Sequence, residues 1–134
     1  QMIETENRFG LYNIKTYEQF SSRVQMMKIS INSYLWEVRN KGGKIVGIGA
    51  ATKGNTLLNY CKLDSDIISF ISDTSKLKIG KYTPGSHIKI ISDDEIDDSF
   101  THAIILPWNI ASLLKIKFKY LNLIFFAPQV DESL

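Results

Sequence analysis

Cysteine is almost absent from this sequence, because Cys61 is the only one among 134 residues. A single thiol excludes a disulfide within the chain and also a cysteine-rich zinc site. Cys61 lies near the end of a predicted helix, a position typical of a buried structural thiol. Cysteine chemistry is therefore not expected of this chain.

Long apolar runs and an excess of one charge are also lacking. No stretch approaches the roughly 18 apolar residues that a membrane-spanning helix needs, and the first residues have no features of a signal peptide. The net charge is only +2, and the lysines are scattered between acidic residues, which argues against nucleic-acid binding. We therefore expect a cytoplasmic protein that binds neither membranes nor nucleic acids. The chain opens with Gln1, so we also expect a piece of a longer protein.

One long amphipathic pattern dominates the first 41 residues. Thr16 followed by Gln19 predicts a capping box that opens a helix over residues 17–40. Apolar residues recur along it at spacings of three and four and form one stripe: Tyr17, Phe20, Val24, Met27, Ile31, Leu35 and Val38. Three more form a second partial face: Met26, Ile29 and Trp36. This second face indicates contact with another domain or subunit, or a helix that is simply packed on two sides.

Apolar runs and helical stretches alternate after the long helix. The predicted strands are 45–48, 66–72, 87–91, 103–106 and 122–126, and the predicted helical segments are 55–61, 93–96 and 109–120. Strands that are apolar throughout and separated by helices indicate a parallel sheet covered on both faces. The predicted fold is α/β: a Rossmann-like parallel sheet of about five strands with helices on both faces, preceded by a long N-terminal helix. We expect one domain, in which residues 1–41 pack on a ligand-binding unit of residues 42–134.

A glycine turn between the first strand and the next helix is the most informative motif. The chain reads GIGAATKGN from Gly47 to Asn55, and such a turn points backbone N–H groups and a positive helix end at a phosphate or pyrophosphate. A dinucleotide fingerprint requires glycine or alanine where Thr52 stands, and the next glycine comes only at Gly54. Asp73 ends the second strand, where a ribose-binding acid would stand. NAD binding therefore matches only in part, and the segment is not a P-loop.

Further candidates follow the predicted strands, at the edge where ligands bind in this architecture. Lys53 either adds charge for a phosphate or is a solvated surface residue, and Asn55 either caps the helix or contacts a ligand. His87 either bonds a phosphate or sugar hydroxyl or packs at a loop junction. Trp108 is placed to stack on a base or sugar, and Asn109 to cap the last helix.

Residue sets that carry out catalysis are missing. The sequence has no Ser/His/Asp set, no metal-binding cluster and no carboxylate pair in an obvious pocket. We therefore expect a binding domain without catalytic or metal-binding residues. Two alternatives are a free-standing NAD- or coenzyme A-binding Rossmann module and an interaction or dimerisation domain that uses the long helix.

Four segments, in order, resemble the C-terminal domain of nucleotide-sugar C-methyltransferases. The segment from Gly47 to Tyr60 resembles that family's G-x-G-A-x-x-K-G-N-T-L-L-N-x signature. The other three are the strand end at Asp73, the run 84–90, which is similar to P-G-x-x-I-P-I, and the W-N turn at 108–109. The chain departs from the family at Lys89, where a proline is usual, and at Leu113, where a glutamate is common.

The resemblance implies that this chain holds a nucleotide-diphosphate sugar and belongs to a larger S-adenosylmethionine-dependent enzyme. It implies that S-adenosylmethionine and zinc bind upstream domains, that the upstream methyltransferase domain of the same chain is a partner, and that this part binds no cofactor and is not catalytic alone. The substrate-binding residues expected here are Gly47, Gly49, Ala50, Ala51, Lys53, Gly54, Asn55, Asp73, His87, Trp108 and Asn109. The long helix also offers a surface for a homo-oligomer.

Overall fold

In the computed structural model, which describes residues 14–128, three α-helices and five strands succeed one another along the chain. They are α1 (Ile14–Asn40), β1 (Ile45–Ile48), α2 (Thr52–Tyr60), β2 (Ile68–Asp73), β3 (Ile90–Ser92), β4 (His102–Ile105), α3 (Ala111–Lys117) and β5 (Ile124–Phe126). Short 3₁₀ turns at Asp93–Glu95 and Trp108–Ile110 precede β4 and α3.

The five strands form one parallel sheet in the order β3-β2-β1-β4-β5. β1 is central and pairs with β2 on one side and β4 on the other, so the strand order reverses between β1 and β4. All four residues of β1 are buried. The predicted Rossmann-like fold is confirmed, and the reversal of strand order falls beside the glycine turn, where this architecture binds ligands.

Different elements cover the two faces of the sheet. On one face, α1 and α2 supply the buried side chains of Ile31, Leu35, Val38, Leu57 and Leu58. On the other face, the segment after β3 supplies those of Ile96 and Phe100, and the residue after α3 supplies that of Phe118, with Leu114 of α3 partly buried against them. Successive residues of β1 alternate between the two cores, because side chains alternate along a strand. Helical cover on both faces is therefore confirmed.

Several element boundaries differ from the prediction. α2 begins at Thr52 instead of residue 55, because the chain is extended only as far as Ala51 (φ −87°, ψ 153°) and is helical from there on. β3 begins at Ile90 instead of residue 87, because His87 takes a left-handed conformation (φ +53°) that interrupts an extended chain. The last helix is shorter than predicted and has only seven residues after its 3₁₀ turn.

Helix α1 is confirmed, but its predicted capping box is wrong because the helix already includes Ile14, two residues before Thr16. Only the second half of its apolar stripe is buried. In the first half, Tyr17 and Phe20 are exposed, and residues of the second face are exposed as well: Met26, Ile29 and Trp36. Despite its length, α1 is not apolar enough to cross a membrane, and neither is any other helix within residues 14–128.

Cys61 directly follows α2, and its buried position confirms the prediction of a structural thiol, with 1% of its surface exposed. Burial raises the pKa of this thiol, although the positive charge of Lys28 opposes the effect. Both the inaccessibility and the raised pKa lower the concentration of reactive thiolate.

We predict that native Cys61 reacts with iodoacetamide at pH 8 more than about tenfold slower than the same thiol in guanidinium chloride. Free glutathione, measured in both solvents, corrects for the effect of the denaturant on the reagent. Equal rates in the native and unfolded protein, read by mass spectrometry, would contradict the buried position of this side chain.

Candidate functional site: a cleft beside the glycine turn

A cleft of about 360 Å³ lies at the edge of the sheet where β1, β2 and β4 end. Its walls come from the glycine turn and α2, from the segment between β2 and β3, and from the strands beneath. The lining residues are Ala50, Ala51, Thr52, Asn55, Leu58, Ile71, Lys78, Lys81, Tyr82, Thr83, Pro84, Ile90 and Leu106. Its volume is in the range of small-molecule sites in proteins.

The first two glycines of the motif shape the turn beneath the cleft. Gly49 has φ +84°, which favours glycine, and a Cβ there would lie 2.7 Å from Pro107. The Gly49 N–H donates to the Ser72 carbonyl at 2.8 Å and so continues the pairing of β1 with β2. Gly47 lies inside β1, where a Cβ would lie 2.9 Å from the Ile71 side chain. These two predicted site residues therefore determine the path of the chain and do not line the cleft.

Gly54 allows the close contact of α2 with the end of β4. It lies in the first turn of the helix, and a Cβ there would be 2.5 Å from the Cβ of Leu106. In dinucleotide-binding turns, the third glycine permits the same close packing of helix on strand. Gly54 thus has the packing role of a third glycine, although it comes two residues later in the sequence.

Asp73, at the end of β2, holds the glycine turn in place. Its two carboxylate oxygens accept hydrogen bonds at 2.8 Å from the backbone N–H groups of Ala50 and Ser75. Lys78 Nζ lies 3.8 Å from the same carboxylate and donates to the Ala50 carbonyl at 2.8 Å. Asp73 therefore already has three partners within the domain, which reduces its capacity to bind a ribose.

The first turn of α2 presents backbone donors at the glycine turn. Helix geometry leaves the N–H groups of Thr52, Lys53 and Gly54 without acceptors inside the helix. The Asn55 N–H is already used, because it donates to the Ala51 carbonyl at 2.9 Å.

The side chain of Asn55 does not cap α2. The N-cap is Ala51, and no side chain bonds to the helix end, so the capping role considered for Asn55 is wrong. Its side chain instead lines the cleft, and its Oδ1 is buried without a hydrogen-bond partner.

The cleft is lined by lysines other than Lys53, the lysine expected from the glycine motif. Lys53 is exposed, and its Nζ lies 6.0 Å from the centre of the Trp108 ring, outside the residues that line the cleft. Lys78 and Lys81 line it instead. The sequence did contain an indication of these two lysines. They stand on either side of Gly80 and follow a strand that ends at the edge of the sheet where this architecture binds ligands.

A hairpin-like turn between β2 and β3 forms the outer wall. Tyr82 lines the cleft and stacks on His87, with ring centres 4.4 Å apart and planes inclined by 9°. Asn59 of α2 donates to the Pro84 carbonyl at 3.0 Å and ties the turn to the helix. His87 thus supports an aromatic wall residue that sequence reasoning missed, and it does not itself line the cleft.

The W-N turn lies beside the cleft, and neither of its residues belongs to the lining. Trp108 is half-buried and packs against the core beneath α1 and α2. Asn109 is exposed within the 3₁₀ turn, and the N-cap of α3 is Ile110, so the capping role considered for Asn109 is wrong. Among residues 14–128, no three histidine, cysteine, aspartate or glutamate side chains lie together as metal ligands would.

A parallel sheet with a glycine turn and a cleft where the strand order reverses defines a Rossmann-like domain, an architecture in which ligands bind at that edge of the sheet. Residues 1–122 match the family of C-methyltransferase C-terminal domains, and the chain belongs to that family. The chain is also 35% identical over 112 residues to the C-methyltransferase NovU of Streptomyces niveus. That match covers 83% of this chain and 27% of NovU, so the chain spans only about a quarter of the relative's length.

We predict that Gly54→Ala lowers the free energy of unfolding by about 1–3 kcal/mol, because the added Cβ overlaps Leu106 and the core must shift. Thr56 is exposed on the same helix and provides the matched control. Thr56→Ala should change the free energy of unfolding by less than about 0.5 kcal/mol. Urea unfolding measures both variants. A Gly54→Ala protein as stable as the wild type would show that α2 does not need this close contact.

Proposed function

We propose that this chain is the substrate-binding domain of an S-adenosylmethionine-dependent C-methyltransferase that acts on a nucleotide-linked deoxysugar. The observation that carries the proposal is the cleft, which brings the start of α2, two lysines and an aromatic wall together at the edge of the sheet where this architecture binds ligands. Membership of the C-methyltransferase family supports the same function. Cationic and N–H donor groups around an apolar cleft suit a ligand with a charged diphosphate and a ring at either end.

The pyrophosphate would lie over the glycine turn. There it would accept hydrogen bonds from the N–H groups of the first turn of α2, where the helix dipole favours negative charge. Lys78 and Lys81 would add positive charge from the facing wall, and Lys53 from the helix surface. Ala50 and Ala51 would allow close approach of the ligand, because their side chains are small. His87 would act through Tyr82, and Trp108 and Asn109 would border the site.

Methyl transfer itself is assigned to a separate methyltransferase domain of a longer protein. In this proposal, S-adenosylmethionine and zinc would bind there. The role of the present domain would be to hold and orient the sugar nucleotide for that domain.

An NAD- or coenzyme A-binding module is the alternative with a similar site. Both oxygens of Asp73 already accept backbone N–H groups, whereas a dinucleotide-binding acid bonds the ribose. This observation favours the sugar-nucleotide proposal.

We predict that the 134-residue chain binds a deoxythymidine diphosphate sugar in calorimetric titration, and that NAD and coenzyme A bind much more weakly. Lys81→Ala should weaken binding about tenfold, because a cation that faces the diphosphate is lost. Lys53→Ala measures the contribution of the lysine in the motif. Lys115→Ala makes the same charge change on α3, which covers the opposite face of the sheet, and should leave the affinity unchanged. Binding of NAD without binding of any nucleotide sugar would refute the proposal.

An interaction role is a second candidate function, favoured by the exposed apolar residues of α1. Met26 is 61% exposed, Ile29 58% and Trp36 49%, and side chains of this size are costly to leave in water. We propose that they contact the upstream methyltransferase domain or a second copy of this chain.

Sedimentation velocity separates these two partners. If α1 mediates a homo-oligomer, the chain sediments faster than its 15.3 kDa monomer, and Trp36→Lys restores the monomer. Leu113→Lys, an equivalent change at an exposed position of α3, should have no effect. A wild-type monomer at all concentrations would exclude self-association and leave the upstream domain as the partner.

A further inference from the structure

The Oδ1 atom of Asn55 is a hydrogen-bond acceptor whose position in the fold is unusual. It is buried, has no hydrogen-bond partner, and belongs to a side chain that lines the cleft. Buried acceptors are almost always bonded, and leaving one unbonded destabilises the folded state. The helix does not explain this atom either, since α2 has no side-chain cap. A group that enters the cleft is therefore its natural partner.

The surroundings of Asn55 indicate what kind of group this is. Leu58 lies one turn further along the same face of α2, and Ile71, Ile90 and Leu106 form apolar parts of the same cleft. Charged phosphates are poorly accommodated among such side chains because of the cost of desolvation. Since Oδ1 can only accept a hydrogen bond, the missing group must carry an N–H or O–H.

Resting on the proposed function, we propose that Asn55 binds the uncharged ring end of the ligand. Its Oδ1 accepts a hydrogen bond from a ring N–H or a ring hydroxyl in the apolar part of the cleft, and Lys78 and Lys81 face the diphosphate. Asn55 is thus a specificity determinant for the ring, in contrast to a role as one more pyrophosphate ligand of the motif. The ring has two possible sources in a sugar nucleotide, because a nucleobase supplies an N–H and a sugar supplies hydroxyls.

The test compares wild type, Asn55→Leu and Asn55→Asp in calorimetric titrations with inorganic pyrophosphate, dTDP and dTDP-glucose. Leucine has a similar shape without the acceptor, whereas aspartate keeps an acceptor oxygen at the same place. The quantity of interest is the ratio of dTDP-glucose affinity to pyrophosphate affinity, which cancels the repulsion that aspartate adds toward the diphosphate. We expect this ratio to fall about tenfold in Asn55→Leu and to be retained in Asn55→Asp. Thr56→Ala, at the neighbouring exposed position, should leave it unchanged.

The same titrations identify the source of the donor. A nucleobase partner produces the loss for both dTDP and dTDP-glucose, and a sugar partner produces it for dTDP-glucose alone. An unchanged ratio in Asn55→Leu, while the wild type binds dTDP-glucose, would overturn the assignment of Asn55 and leave the proposed function standing. A wild type that binds none of the three probes would instead refute the proposed function together with this assignment.

Thermal unfolding without ligand provides a second readout. Because Oδ1 has no partner in the fold, its replacement in Asn55→Leu should leave the melting temperature unchanged or raise it by about 2–4 °C. A fall of that size would show that Asn55 serves the fold and would contradict a role reserved for the ligand.

Discussion

The contact of α2 with the end of β4 is the constraint on which the cleft depends. The helix approaches Leu106 so closely that only a glycine fits at position 54. This approach brings the first turn of α2, with its unpaired N–H groups, to the edge where the strand order reverses. It also aligns the lining side chains of the helix with the walls that follow β2. A longer side chain at position 54 would move all of these groups together.

Polar groups around the glycine turn divide into those that are satisfied by the fold and those that are not. Asp73 and Lys78 bond to the turn and to each other, and these bonds keep the turn in shape before any ligand arrives. The Asn55 Oδ1 has no partner in the fold, and helix geometry leaves the first-turn N–H groups without an acceptor inside the helix. Preorganised groups that lack a partner in the fold are the ones with most to gain from a ligand.

Local sequence patterns predicted the sheet well and the start of α2 poorly. β1 was predicted at 45–48 and lies there, because an apolar run between glycines has few alternatives to a buried strand. The first turn of α2 was misassigned because glycine has a low helix propensity, yet Gly54 is helical since its packing on Leu106 requires the absence of a side chain. The start of β3 was misassigned for a different reason: His87 adopts a left-handed conformation, which a pattern of apolar residues cannot predict.

Family membership, the order of strands and helices, and the position of the glycine turn all followed from motifs and apolar spacing, because these are properties of short segments. The identity of the side chains that line the cleft did not follow from these patterns. Lys78, Lys81 and Tyr82 line the cleft only because their turn folds back against α2, held by the Asn59 bond to Pro84 and by the stacked His87 ring. Such contacts join residues far apart in the chain, so the spacing of residues in the sequence cannot predict them. Long-range packing therefore determines which groups meet at the cleft.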